Sequence, residues 1–281
     1  MIPAPFDYAR PASLDEALEL VAGADPSIRV LAGGQSLIPL MKLRLARPLR
    51  LIDVGRLDDL RGVRDAGGGA LSIGAMTTWA ALIADTRVTA HGALADALPN
   101  IGDTQVRNRG TIGGSLAHAD PASDIAAPAL ALGLEVVARS AARGEHVIPV
   151  TELFAGPFST TLAPDEILVE VRVPTPAPGT ASAYRALPQP ASGYPIAGVA
   201  INLGKLGGAP AVAVTGVGEQ PYRAESVEHA LVAGASIDDA VTTITQGQRV
   251  SADIHADRDY RAAMAAVMAR RAYALVEGRL G

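Results

Sequence analysis

The chain contains no cysteine at all. Disulfides are therefore impossible, and so are thiolate-ligated zinc and iron–sulfur clusters held by this chain itself. Aromatic residues are scarce at 4%, and charged residues, at 19%, fall below the usual share for a globular protein. The core must then be assembled from many small Ala, Gly and Val contacts, with some apolar surface left for partners. Basic character is lacking too: the net charge is −5, which argues against a nucleic-acid footprint. No stretch approaches the roughly 20 apolar residues of a membrane span. The first residues, Met1-Ile2-Pro3-Ala4-Pro5-Phe6-Asp7-Tyr8, do not read as a signal peptide. The expectation is a soluble, cytoplasmic protein of about two domains.

Local signals divide its 281 residues. Ser13 with Glu16 forms a capping box for a helix in which Leu14, Ala17, Leu18 and Val21 share a face, and Gly23 is placed to end it. Strands are predicted over 28–31, 49–54, 71–74 and 134–139, a helix over 37–45, and a short helix through Ile83 that Thr78 could cap. Pro128 marks the start or kink of an apolar helix over 125–132. Residues 166–173 alternate as a half-buried strand should, with Ile167, Val169, Val171 and Val173 against Leu168, Glu170 and Arg172. Three prolines and a glycine in 174–179 mark a domain boundary. Beyond it, strands are predicted over 199–203 and 211–217 with a glycine turn between them, followed by helices. The longest helix, over 257–277, is expected to place Tyr260, Met264, Val267, Met268 and Leu275 on one face. Strands first and helices later indicate α+β organisation.

Two glycine-rich loops stand out: Ala32-Gly33-Gly34-Gln35-Ser36 after the second strand, and Thr111-Ile112-Gly113-Gly114-Ser115. A dinucleotide pyrophosphate needs convergent backbone N–H donors and close backbone approach, which glycine permits. Ser36 near a helix start, and the hydroxyls of Thr111 and Ser115, suit such a site. Either loop alone reads more readily as an ordinary turn; two together favour the anion. The G-x-G-x-x-G, Walker A and G-x-S-x-G patterns are missing from these positions. His118, Asp120 and Asp124 could ligate a hard or borderline metal, but the stronger reading is a turn at Asp120-Pro121 with Ser123 or Asp124 capping the next helix and His118 as a loop residue. Asp124 could instead accept a ribose hydroxyl. Tyr194 is either a stacking residue in a flexible loop or a plain tyrosine, and Arg270 with Arg271 reads as a solvated or interface face.

The segments 31–37, 105–115 and 119–124 together resemble the FAD-binding medium subunit of molybdenum hydroxylases, the carbon monoxide dehydrogenase and xanthine dehydrogenase family. Phe6-Asp7-Tyr8-Ala9-Arg10-Pro11 and Arg270-Arg271-Ala272 fit as well. The resemblance spans essentially the whole chain. It implies a vanillyl-alcohol-oxidase-like (PCMH-type) FAD-binding domain over 1–175, in subdomains 1–55 and 56–175. A C-terminal α+β domain with a three-stranded antiparallel sheet would then cover 178–281. By matching position, Ala32, Gly33, Gly34, Gln35, Ser36 and Leu37 with Thr111, Gly113, Gly114 and Ser115 would hold the pyrophosphate. Asp124 would bind the ribose side, Ile101 and Leu168 would pack on the FAD, Arg185 would be a cofactor-facing basic residue, and Tyr194 would lie over the isoalloxazine. One departure is Gly193 before the tyrosine, where an acidic residue is frequent; another is Leu187-Pro188-Gln189-Pro190 in place of a basic stretch.

The implied partners are a small iron–sulfur subunit and a large molybdenum-cofactor subunit, in a dimer of heterotrimers. Electrons would leave to a quinone, NAD or oxygen. A free-standing flavin oxidase of the same fold, and a non-redox nucleotide- or metal-binding module, are the alternatives.

Overall fold

The computed structural model describes residues 2–204 and 209–281. The chain opens with β1 (Asp7–Ala9), α1 (Leu14–Val21), β2 (Ile28–Leu31), α2 (Leu37–Lys42) and β3 (Arg50–Asp53). The three strands form a parallel sheet in the order β1-β3-β2. The capping box sets the start of α1: the Glu16 N–H donates to Ser13 Oγ, and Glu16 Oε2 accepts from the Ala12 N–H at 2.6 Å. The left-handed residue past its end is Ala24 (φ 50°), not Gly23. Helix α2 stops earlier than the sequence suggests, because Arg44 takes φ 59° and turns the chain.

The second sheet is antiparallel, with order β4-β5-β10-β6-β7. Its strands are β4 (Val63–Gly67), β5 (Ala70–Gly74), β6 (Glu135–Ser140), β7 (Gly144–Pro149) and β10 (Ile167–Val173), while β8 (Phe154–Gly156) and β9 (Ser159–Thr160) make a small hairpin. Between β5 and β6 run α3 (Trp79–Ala84), α4 (Thr86–Thr89), α5 (Gly92–Ala97), α6 (Thr104–Arg109), α7 (Ile112–His118) and α8 (Ala126–Leu132); α9 (Val150–Leu153) follows β7. Pro128 sits in the first turn of α8, where its missing N–H costs nothing. Neither Ser123 nor Asp124 caps that helix; Ile125 occupies the cap with no side-chain bond.

Strand β10 corrects the simple alternation. Leu168 faces the main core with the helices, while Ile167 and Val169 face a separate core shared with the first sheet. Both faces are covered there, and the pairing with β6 shifts register between Leu168 and Glu170. All three residues are therefore buried.

The third sheet has four antiparallel strands, not three, in the order β11-β12-β13-β14. They are β11 (Thr180–Pro188), β12 (Pro195–Gly204), β13 (Ala211–Thr215) and β14 (Tyr222–Arg223). The expected glycine turn between β12 and β13 falls on 205–208, outside the described residues. One face of this sheet packs on α5 and α8, the other on α10 (Glu225–Val232) and α12 (Arg258–Leu280), with α11 (Ile237–Ala240) against those two helices. The buried face of α12 is Arg261, Ala265, Met268, Ala269, Ala272 and Val276, whereas Tyr260 is exposed. Alanine, not the larger residues, lets the helix approach the sheet. Arg270 pairs with Asp238 on the surface at 2.5 Å, and Arg271 is exposed.

Candidate functional site

The two glycine loops touch. A methyl group built on Gly33 would strike the Arg109 carbonyl oxygen and lie 2.8 Å from Gly110 Cα. One built on Gly114 would come within 3.2 Å of Ala32 Cβ. Only glycine permits this backbone approach. Gly34 adds a left-handed φ of 74°, which swings the chain from β2 into α2.

The loops differ in what they leave open. In the first, the N–H groups of Gly33, Gly34, Gln35, Ser36 and Leu37 have no acceptor among the described residues. Ser36 occupies the cap of α2 without a capping bond, so its hydroxyl is also available. In the second loop the donors are spent inside the protein. Gly113 N–H donates to the Ala75 carbonyl at 2.9 Å, Gly114 N–H to Thr111 Oγ1 at 3.2 Å, and Ser115 N–H to the Thr111 carbonyl. Gly113 is glycine because Ala75 Cβ would lie 2.5 Å from a methyl there. The second loop thus offers side chains and a flat face, while the first offers an N–H row with the polarity an anion requires. The sole tryptophan, Trp79, is buried beneath Gly110, whose carbonyl accepts the Trp79 backbone N–H at 3.1 Å.

The third segment, 119–124, closes the site from below. Ser123 Oγ lies 3.1 Å from Ser115 Oγ. Asp120 accepts from the Ala122 N–H as in a turn, and burial raises its pKa. The His118 ring meets that of Phe158 at a tilt, 49° between planes and 5.3 Å between centroids, and its pKa is lowered by burial. Among the described residues no three metal-ligating side chains converge. Asp124 is 7% exposed and accepts from the Tyr184 hydroxyl at 2.8 Å; burial pushes its pKa up to about 7. Nothing in the sequence pattern marked Tyr184, which lies in a strand of modest β-propensity. Its hydroxyl fits only because residue 198 is glycine, since a methyl there would overlap it.

Tyr194 comes in from the third sheet. Its hydroxyl approaches the Ser36 side chain, and burial followed by the Asp120 and Asp124 carboxyls raises its pKa. The first loop, segment 119–124 and Tyr194 therefore meet. Arg185 does not join them through a contact: its guanidinium lies 3.7 Å from Asp96 and donates to the Tyr184 carbonyl. Ile101 is half-buried at the edge of the main core, and Leu168 is inside it.

Comparison with known proteins decides the family. Residues 4–176 match the FAD binding domain in molybdopterin dehydrogenase, and residues 182–276 match the CO dehydrogenase flavoprotein C-terminal domain. The chain belongs to the FAD-binding medium subunits of the molybdenum hydroxylases. It is 38% identical to the carbon monoxide dehydrogenase medium chain of Hydrogenophaga pseudoflava, with 97% of each chain covered. It is 37% identical to the glyceraldehyde dehydrogenase medium chain of Sulfolobus acidocaldarius, over 93% of this chain and 92% of that one. The solved carbon monoxide dehydrogenase from Hydrogenophaga pseudoflava that lacks the Mo-pyranopterin moiety superimposes with a TM-score of 0.93, covering 99% of both chains. No helix of the described residues is long and apolar enough to cross a membrane.

Proposed function

We propose that this chain is the electron-exit subunit of a heterotrimeric molybdenum hydroxylase. It holds FAD, takes electrons from iron–sulfur clusters of a small partner subunit and passes them to an external quinone, NAD or oxygen. The clusters and the molybdenum cofactor reside in partner subunits, and this cysteine-free chain has no thiolate with which to hold a cluster. The contact between the two glycine loops, beneath an open row of N–H groups, is the observation that carries the reading.

In this reading Ala32, Gly33, Gly34, Gln35, Ser36 and Leu37 bind the pyrophosphate through the main chain, and Thr111, Gly113, Gly114 and Ser115 form the opposing wall. Asp124 accepts from the ribose side, and Tyr194 faces the isoalloxazine. Ile101, Leu168 and Arg185 are assigned to cofactor packing by the resemblance. Ile101 and Arg185 keep exposed surface for it, and Leu168 the least. The FAD-binding domain spans 1–175, in subdomains 1–55 and 56–175, and the C-terminal domain spans 178–281. Bound FAD supplies the redox chemistry, storing electrons between donor and acceptor. The chain's residues position it, and none is required as a general acid or base.

Leu43, Leu45 and Leu49, in the segment between α2 and β3, expose 53%, 74% and 66% of their surface, an apolar set suited to a docked partner. A dimer of heterotrimers in the cytoplasm is the assembly proposed. Relatives as similar as the two above act on carbon monoxide and on glyceraldehyde, so this chain does not select the substrate.

The test is the cofactor itself. The protein purified with its accompanying subunits should show an oxidised-flavin spectrum and release FAD on denaturation. A colourless preparation that fails to take up added FAD overturns the proposal.

A further inference from the structure

The turn that presents Tyr194 is organised by one side chain. The backbone N–H of Gln189 donates to the Tyr194 carbonyl at 2.8 Å, and its carbonyl accepts from the Gly193 N–H at 2.8 Å. Its side-chain Oε1 accepts twice from Ser192, from the N–H at 2.6 Å and from the hydroxyl at 2.7 Å. Ser192 Oγ in turn accepts from the Tyr194 N–H at 3.3 Å. Gly193 closes the turn with φ 77°, and a methyl there would meet nothing within 4 Å. The backbone angle, not lack of space, is what calls for glycine.

The turn is also tied outward on both sides. Gln189 Nε2 lies 3.5 Å from His255 Nδ1, in the segment that leads into α12. His255 and Ala256 donate their N–H groups to Asp253, which also binds the Arg261 guanidinium at 2.6 Å. Arg261 is buried and donates to the carbonyls of Ile196 and Gly216. Tyr194 is thus held from before, by Gln189, and from after, by the clamp on Ile196.

We propose that Gln189 is a positioning residue for the flavin: it fixes the Tyr194 phenol over the first glycine loop and so sets the surroundings of the isoalloxazine. This rests on the reading that Tyr194 faces the flavin. Tyr194 is half-exposed and sits on a short surface turn, so the packed core does not hold its ring. The two Oε1 bonds to Ser192 do that work instead. Each bond of this kind changes the population of an ordered turn by up to about tenfold.

The experiment compares four forms of the holoenzyme: unaltered, Gln189→Ala, Tyr194→Ala and the double variant. The readouts are the visible circular dichroism of the bound flavin, its midpoint potential and the FAD dissociation constant. Tyr194→Ala should shift the dichroism and the potential. Gln189→Ala should shift them in the same sense by a smaller amount and raise the dissociation constant about threefold to tenfold. The double variant should match Tyr194→Ala, because a residue that acts only through another adds nothing once the other is gone. If Tyr194→Ala leaves the flavin signals unchanged, Tyr194 does not face the flavin, and the underlying reading fails together with this one. If Tyr194→Ala moves them while Gln189→Ala does not, or if the two effects add, the positioning role alone is overturned. Ser192→Ala, which removes a single hydroxyl, makes the same test should Gln189→Ala not accumulate as folded protein.

Discussion

Replacing Asp124 by Asn should make the flavin-free protein more stable at neutral and alkaline pH while weakening its grip on FAD. The carboxyl is buried, and its pKa rises from an ordinary 3.8 to about 7 even though the Tyr184 hydroxyl donates to it. A shift of about three units corresponds to about 4 kcal/mol between the two protonation states. The folded chain binds this proton more tightly than the unfolded chain does. The stabilisation is therefore fully present below the unfolded pKa and is lost as the pH rises through the folded one. An asparagine stays neutral throughout, and its carbonyl oxygen can still accept from Tyr184. The variant should gain about 2–4 kcal/mol over the unaltered chain at pH 8 and nothing near pH 4. Asp120 is raised as well, and His118 and His91 are lowered by burial, which gives slopes of both signs. These groups are present in both proteins, so the difference between the two isolates Asp124. Urea unfolding between pH 4.5 and 8, followed through Trp79, measures it. Parallel stability–pH curves for the two proteins would refute the reasoning. With FAD, loss of a charged acceptor should raise the dissociation constant about tenfold or more.

Gly33→Ala forces a methyl group into the Arg109 carbonyl. It should separate the glycine loops and cost about 1–3 kcal/mol, and the purified protein should retain little FAD by its visible spectrum. Tyr184→Phe leaves the buried Asp124 without its donor and should lower stability by about 1–3 kcal/mol, read in the same urea titration. Asp96 accepts both Arg279 nitrogens, at 2.8 and 2.9 Å, together with the Tyr184 N–H, and so ties α12 and β11 to α5. Asp96→Ala should cost about 2–4 kcal/mol in thermal unfolding, because it strands partly buried donors. A change below about 0.5 kcal/mol would show that the ion pair is solvated and inert.

How far the sequence foretold this site follows from the range of the forces involved. The capping box of Ser13 and Glu16, the Thr78 cap and the glycine loops are local, because each is decided within a few residues of chain. Strand β11 was not legible, since Thr180-Ala181-Ser182-Ala183-Tyr184-Arg185-Ala186-Leu187-Pro188 has little β-branching and no alternation. It exists because β12 pairs with it on one side and α5 and α12 bury it. The two-residue β14 escaped for a similar reason, being a brief pairing with β13. The division of labour between the loops was equally hidden. Both read as N–H donors, yet the neighbours of the second loop, Thr77 and Ala75, consume its N–H groups.

What decides the site's character is therefore non-local. The carboxylate that most resists ionisation belongs to the N-terminal half of the chain, while the hydroxyl bonded to it comes from the third sheet. Thr215 strengthens this junction: it is fully buried and donates to the carbonyls of Pro121 or Ser123, at 2.8 and 3.0 Å. Segment 119–124 consequently cannot take this shape unless β11 and β13 are in place. On the proposed reading of the site, the third sheet is then part of it and not an accessory. A chain cut after residue 175 should lose FAD, because Asp124 would have no partner, segment 119–124 no floor, and α5 and α8 no sheet to pack on. Retention of FAD by that fragment, measured by its visible spectrum and by Trp79 quenching, would show that the loops suffice alone.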